Sequence, residues 1–269
     1  MLKVYDQVLT QLEIAQLLDW FNQDDSLVDD RLDVRSKALV DWNHDTAPVN
    51  LLTKILDAVL DKDYEIEVAL FYGSRISFRL HTDSGEGDGK PLYKNVLIPL
   101  QFEGTATTVL FDNHYHGRHA RFGRQPMSPF WYSLPNRFGQ LEDIADVRDL
   151  LQQCQTDPKT VTNFEVNNEF ISALEHIIQK RSRTNARRPD DYITDYNSIT
   201  NYQPGLEFDP ETHVKYLNHI PIENLHGLTM DQIVPWVPGQ VFTWDRTQLH
   251  AAGSGHLYKT GITVLTYLK

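Results

Sequence analysis

The chain has 269 residues, 41% hydrophobic and 11% aromatic, enough to build one large domain or a domain with a big insertion, which argues against disorder. Its formal net charge of −12, from 37 acids against 25 Lys and Arg, disfavours a broad nucleic-acid footprint, because phosphate binding depends on clustered cations. No apolar run reaches the roughly 18 residues of a spanning helix, and the first twenty residues are amphipathic and acidic. The chain therefore reads as neither secreted nor membrane-bound. A single cysteine, Cys154, allows neither an intramolecular disulfide nor a thiolate metal cage, which suits a cytoplasmic protein whose metal ligands would be His, Asp or Glu.

Thr10 followed by Glu13 is a capping-box pattern, and Ile14, Leu17, Leu18 and Phe21 continue at helical spacing, so a helix is predicted over 11–22. A second is predicted over 48–61, with Leu52, Ile55 and Val59 on one face. The segments 65–80, 94–102 and 105–112 are rich in Val, Ile, Thr, Phe and Tyr and read as strands. A third helix is predicted over 166–181 from Phe170, Leu174, Ile177 and Ile178, followed by the basic run KRSRTNARR, read as a solvated helix end and loop. Two more strands, 240–244 and 261–268, close the chain. Mostly antiparallel strands with outer helices suggest an α+β fold on a small barrel or jelly roll, with residues 114–234 as an insertion or lid over it, all within one domain 1–269.

The chemistry concentrates at the ends of these strands. His81-Thr82-Asp83 closes a strand-like segment and precedes a Gly-rich turn; residues two apart on a strand leave the same face, so an imidazole and a carboxylate can reach one cation. His250, after the strand VFTW, can add a third ligand. Two imidazoles and one carboxylate on one face of an octahedron form the facial triad of non-haem Fe(II) sites. A His-x-Asp triplet alone is what chance supplies in a chain this rich in both residues, and the three side chains could also be ordinary polar groups at strand ends. Lys259, read as lying in the turn before the last strand, could return an ammonium to the metal beside an anionic co-substrate or simply be solvated.

In this order, His81, Asp83, His250 and then Lys259, the chain resembles the Fe(II)/2-oxoglutarate-dependent dioxygenases, whose fold is a double-stranded β-helix. The stretches PGQVFTWDRTQLHAAG and NVLIPLQFEGTATTVLFDN are also similar to that family. The resemblance implies Fe(II), 2-oxoglutarate as co-substrate and O2, with Lys259 holding the distal carboxylate and succinate and CO2 as products. It also implies hydroxylation, because related halogenating enzymes have a small residue where Asp83 stands. Many members carry Ser or Thr two residues after the carboxylate-binding cation, where this chain has Gly261; Tyr72, Tyr93 and Tyr258 are the candidates for the missing contact.

Arg246 and Trp244 share strand parity with His250 and are candidate substrate contacts, although Arg246 could equally cap the strand. His114, with His116 and His119, reads as a substrate-pocket or surface group ahead of a second metal site, and His213, His219 and His226 as lid residues. Arg181, Arg183, Arg187, Arg188, Trp131, Tyr132, Tyr192 and Tyr202 in the middle stretch favour a small anionic or zwitterionic substrate such as an amino-acid derivative, ahead of a protein side chain. No nucleic-acid or membrane partner is expected. A jelly-roll module that binds a small ligand without redox chemistry is the alternative of a different class.

Overall fold

The computed structural model describes residues 2–22, 34–38, 46–75, 77–84, 90–117, 120–123, 144–161, 171–172, 174–175, 192–193 and 195–269. The first helix, α1 (Gln11–Asn22), starts as its sequence dictates. The Glu13 carboxylate accepts from the Thr10 backbone N–H at 2.8 Å, Thr10 Oγ1 accepts from the Glu13 N–H at 3.3 Å, and these bonds lower the Glu13 pKa. Helix α2 (Ala47–Val59) opens with Pro48 in its first turn, where no backbone N–H is required, and stops at an extended Leu60.

A six-stranded sheet lies under both helices. Its strands are β1 (Lys3–Tyr5), β2 (Val34–Ala38), β3 (Tyr64–Ser74), β4 (Leu92–Gly104), β9 (Val241–Asp245) and β11 (His256–Leu268), in the order β1-β9-β4-β11-β3-β2 with every pair antiparallel. A three-stranded antiparallel sheet, ordered β10-β5-β8, comprises β5 (Thr107–His114), β8 (Met230–Pro235) and β10 (Gln248–Ala252), while the short strands β6 (Arg121–Phe122) and β7 (Tyr192–Ile193) pair in parallel with each other. Leu80–Asp83 extends this smaller sheet through a bridge between His81 and His250. Consecutive strands alternate between the sheets: β3 large, Leu80–Asp83 small, β4 large, β5 and β8 small, β9 large, β10 small, β11 large. This is the strand order of a double-stranded β-helix, within an α+β fold.

Period-two alternation sorts the side chains. Phe71, Val96, Ile98, Val241, Ile262 and Val264 pack outward against Ile14, Leu17, Phe21, Leu52, Ile55 and Leu56 of the helices. Tyr72, Leu97, Leu110, Val234, Trp236, Phe242 and Trp244 face inward and fill the space between the sheets. The outer face of the small sheet, through Leu80, Val109, Phe111, Leu249 and Ala251, is covered by Tyr196, Ile199, Phe208, Leu217, Ile220, Leu225 and Leu228. Residues 195–228, which the sequence places in a lid over the barrel, therefore back the small sheet instead.

Several sequence expectations shift. The strand predicted over 65–80 ends at Ser74, and the last strand begins at His256, so Lys259 lies inside it and not in a turn. Strand β8 falls within the stretch assigned to the insertion, and a further helix, α3 (Ile144–Thr156), carries the buried Cys154. Of the helix expected over 166–181, only residues 171–172 and 174–175 are described, and they are helical. The basic run and the residues Trp131, Tyr132, Arg181, Arg183, Arg187, Arg188 and His119 lie outside the described residues. No described helix is long and apolar enough to cross a membrane.

The turn before β9 depends on Gly239, at φ +90, whose carbonyl accepts from both Val8 and Leu9 N–H groups. A Cβ there would sit 2.8 Å from the Leu9 carbonyl oxygen. Gly239→Ala is therefore expected to destabilise the fold by about 2 kcal/mol through left-handed strain and the backbone clash. Thermal unfolding checks this, and an unchanged midpoint would contradict it.

Candidate metal centre

The bridge between the segment 80–83 and β10 brings the predicted ligands together. His81 and His250 exchange both backbone hydrogen bonds at 3.0 Å, and their rings lie 4.2 Å apart between centroids. The Asp83 N–H donates to the Arg246 carbonyl at 3.1 Å, which carries its carboxylate to the same side. His250 Nε2 is 3.2 Å from one Asp83 oxygen and His81 Nε2 is 3.9 Å from the other. One donor atom from each of the three residues lies within 4.8 Å of the others.

The ring tautomers suit a cation. His81 Nδ1 is 2.5 Å from the Arg79 carbonyl and His250 Nδ1 is 3.0 Å from the Gln248 carbonyl. A carbonyl only accepts, so in each ring Nδ1 carries the proton and Nε2 turns a lone pair toward Asp83. Nitrogen, nitrogen and carboxylate oxygen from one side form a donor set that fits a divalent transition metal and leaves the opposite side to other ligands.

Asn95, on the inner face of β4 and buried, was not singled out by the sequence. Its side-chain NH2 donates to Asp83 Oδ2, while its Oδ1 accepts from Thr263 Oγ1 at 3.0 Å, which fixes the direction of the amide. Such an outer partner sets the orientation of a metal-binding carboxylate. Asn95→Leu should weaken divalent-metal binding about 10- to 100-fold, read by titration with Co(II) or Ni(II); unchanged affinity would remove Asn95 from the site.

Lys259 is 1% exposed, on the inner face of β11. Its ammonium lies 4.9 Å from the Trp236 ring centroid and 5.7 Å from that of Phe78, and among the described residues it has no carboxylate partner. Burial alone pushes its pKa down to about 7. A buried cation bedded on aromatic faces without a counter-ion is an anion site in waiting. A Cβ on Gly261 would lie 3.2 Å from the Trp236 indole, so Trp236 occupies the room that Ser or Thr would need.

Tyr72 stands between this pocket and the triad. Its ring meets Phe78 and Trp236 edge-on at 5.9 and 6.4 Å, and burial raises the phenol's pKa, with a smaller push from the Asp83 charge. Tyr93 does not join it: β4 carries one extra residue between Leu92 and Asn95, opposite Leu265 and Tyr267. That bulge reverses the alternation, and Tyr93 turns outward to donate to Asp61 at 2.5 Å. Tyr258, next to Lys259 on the strand, points to the other face and lies over Gly73.

Arg246 is not a substrate contact. It is fully buried, donates to the Asp83 carbonyl at 2.7 Å and the Thr266 carbonyl at 3.1 Å, pairs with Glu67 and stacks over Tyr267. Its guanidinium braces the loop that carries Asp83. Trp244 stands edge-on to His250 at 5.0 Å, and its buried Nε1–H has no hydrogen-bond partner among the described residues, which leaves a donor beside the triad. His114 bonds Thr247 Oγ1 at 3.0 Å and stacks on His116, and neither ring contacts the triad among the described residues. His213 is bound to the Ile220 carbonyl at 2.7 Å within its own segment.

No protein-family model matches the chain, and no curated protein is detectably similar to it in sequence. Solved structures resemble it over nearly its full length. A prolyl-4-hydroxylase from Pseudomonas putida is 6% identical, covering 100% of this chain and 92% of its own, with a TM-score of 0.39. The non-haem α-ketoglutarate-dependent carbocyclase SnoK from nogalamycin biosynthesis is 11% identical, covering 99% and 79%, with a TM-score of 0.43. HygX from Streptomyces hygroscopicus, solved with nickel, 2-oxoglutarate and hygromycin B bound, is 10% identical, covering 100% and 82%, with a TM-score of 0.42. These similarities are distant, and the roles of His81, Asp83, His250 and Lys259 rest on their own geometry.

Proposed function

We propose that this protein is a non-haem Fe(II)- and 2-oxoglutarate-dependent oxygenase that hydroxylates a small metabolite such as an amino-acid derivative. The observation that carries the reading is the convergence of His81, Asp83 and His250 on one point, with the buried ammonium of Lys259, which has no carboxylate partner among the described residues, on the inner face of the same barrel. When bound, Fe(II) with 2-oxoglutarate and O2 would supply the oxidising power for C–H hydroxylation, releasing succinate and CO2.

The chain's own residues bind, orient and exclude water. Lys259 holds the distal carboxylate of the co-substrate, and Tyr72, which meets the same Phe78 and Trp236 rings, offers a phenol for a second contact. Phe78 and Trp236 keep water from this ion pair, which strengthens it. Asn95 and Arg246 hold Asp83 in register by its carboxylate and its backbone. Retention of Asp83 as a ligand favours hydroxylation over halogenation, and the net charge of −12 weighs against a nucleic-acid substrate.

The decisive experiment is succinate release from 2-oxoglutarate with Fe(II) and O2 across a metabolite library. Fe(II)-dependent succinate formation stimulated by one compound class is expected. Failure of the protein to bind either a divalent metal or 2-oxoglutarate would overturn the proposal.

A further inference from the structure

His219 lies within the segment that backs the small sheet, and its side chain reaches the backbone of Phe78. It is 7% exposed, and Nε2 is 3.4 Å from the Phe78 carbonyl. Phe78 is the residue whose ring also beds the Lys259 ammonium. His219 Nδ1 is buried and has no hydrogen-bond partner among the described residues. Buried polar atoms are nearly always satisfied, so a buried orphan close enough to feel the Lys259 charge is a group that a bound ligand can complete.

The imidazole is surrounded by positive charge. Burial first, then the Arg79 charge, hold its pKa down to about 3; the bond to the Phe78 carbonyl pulls upward, and Lys259 and His256 add smaller downward pushes. Arg79 and Phe78 face it from the segment before His81, and His256 and Lys259 from β11. His256 Nδ1 is engaged by the Gly253 carbonyl at 3.1 Å, and Lys259 has no carboxylate partner among the described residues. Among the described residues no acid offsets these charges at His219.

We propose that His219 is a second anion-binding group of the Lys259 pocket and takes up a proton as the pocket loads the distal carboxylate of a small dicarboxylate. The inference rests on the reading of Lys259 as the carboxylate holder. The proton balance follows from the donors. The Phe78 carbonyl can only accept, so in the empty pocket the single imidazole proton sits on Nε2 and Nδ1 keeps its lone pair. A carboxylate can also only accept. The neutral ring therefore cannot bind it until a solvent proton adds to Nδ1, giving an imidazolium that donates to Phe78 on one side and the ligand on the other.

The test is calorimetric binding of 2-oxoglutarate to the Ni(II)-loaded protein at pH 6, in two buffers of different ionisation heat. At that pH Lys259 is already charged in the empty pocket, so its titration contributes little. About one proton should be taken up per ligand, and affinity should fall about tenfold per pH unit between pH 5.5 and 6.5. His219→Gln keeps a donor for the Phe78 carbonyl but cannot titrate; it should abolish the uptake and weaken binding about tenfold. Histidine ¹⁵N spectra of the wild-type protein provide a readout free of any variant, and His219 should change from neutral to imidazolium on loading. Binding without proton uptake, or uptake unchanged in His219→Gln, would overturn this role and leave the oxygenase reading standing. No binding of 2-oxoglutarate at all would overturn both.

Discussion

His250→Ala is expected to abolish stoichiometric Fe(II) binding and to lower 2-oxoglutarate turnover by more than about 100-fold, since even the outer partners of metal ligands are worth about 10- to 100-fold each. The imidazole approaches closest to Asp83, with Nε2 at 3.2 Å, and its Nδ1 is already committed to the Gln248 carbonyl. Among the described residues no other His, Cys, Asp or Glu joins this group, and Trp244 offers only an N–H donor. The fold should survive, since the paired backbone bonds between residues 81 and 250 need no side chain. Titration with Fe(II) under anaerobic conditions, alongside the far-ultraviolet spectrum, separates lost metal from lost fold. Wild-type metal affinity in a folded variant would refute the triad.

The triad was legible in the sequence because it depends on local rules: two residues on one extended segment share a face, and a His after a strand is placed by that strand's parity. Lys259 and Tyr72 follow the same alternation on β11 and β3, although the sequence put Lys259 in a turn. Tyr93 was misread because a bulge is a property of the pairing between β4 and β11, which no single segment displays. Arg246 has a strand parity compatible with substrate contact, yet its partners Glu67 and Thr266 come from strands distant in sequence. Strand β8, MDQIVP, is short and half polar because it lies at a sheet edge, so it lacks the apolar run that marks the central strands. Asn95 and His219 gain meaning only from what they touch, Asp83 in one case and Phe78 in the other.

Lys259→Met should have opposite effects on function and on stability. The apparent KM for 2-oxoglutarate should rise about 100-fold, the scale of losing a charge-assisted hydrogen bond in a site that excludes water. In the absence of ligand, however, the variant should be more stable than the wild-type protein. An ammonium at 1% exposure with no carboxylate partner among the described residues is held at a cost, whereas methionine keeps the stem and places a thioether against Trp236 and Phe78. The depressed pKa sets the sign of the pH dependence. The unfolded chain titrates Lys259 near 10.5 and the folded protein near 7, so between these values the unfolded state holds more protons and wild-type stability rises with pH. Below pH 7 the full penalty applies, up to about 5 kcal/mol. Lys259→Met should remove that slope and raise the melting temperature most at pH 6, and 2-oxoglutarate should stabilise the wild-type protein far more than the variant. A variant less stable than wild type at pH 6 without ligand would mean that the ammonium already has a partner, and the anion pocket would lose its basis.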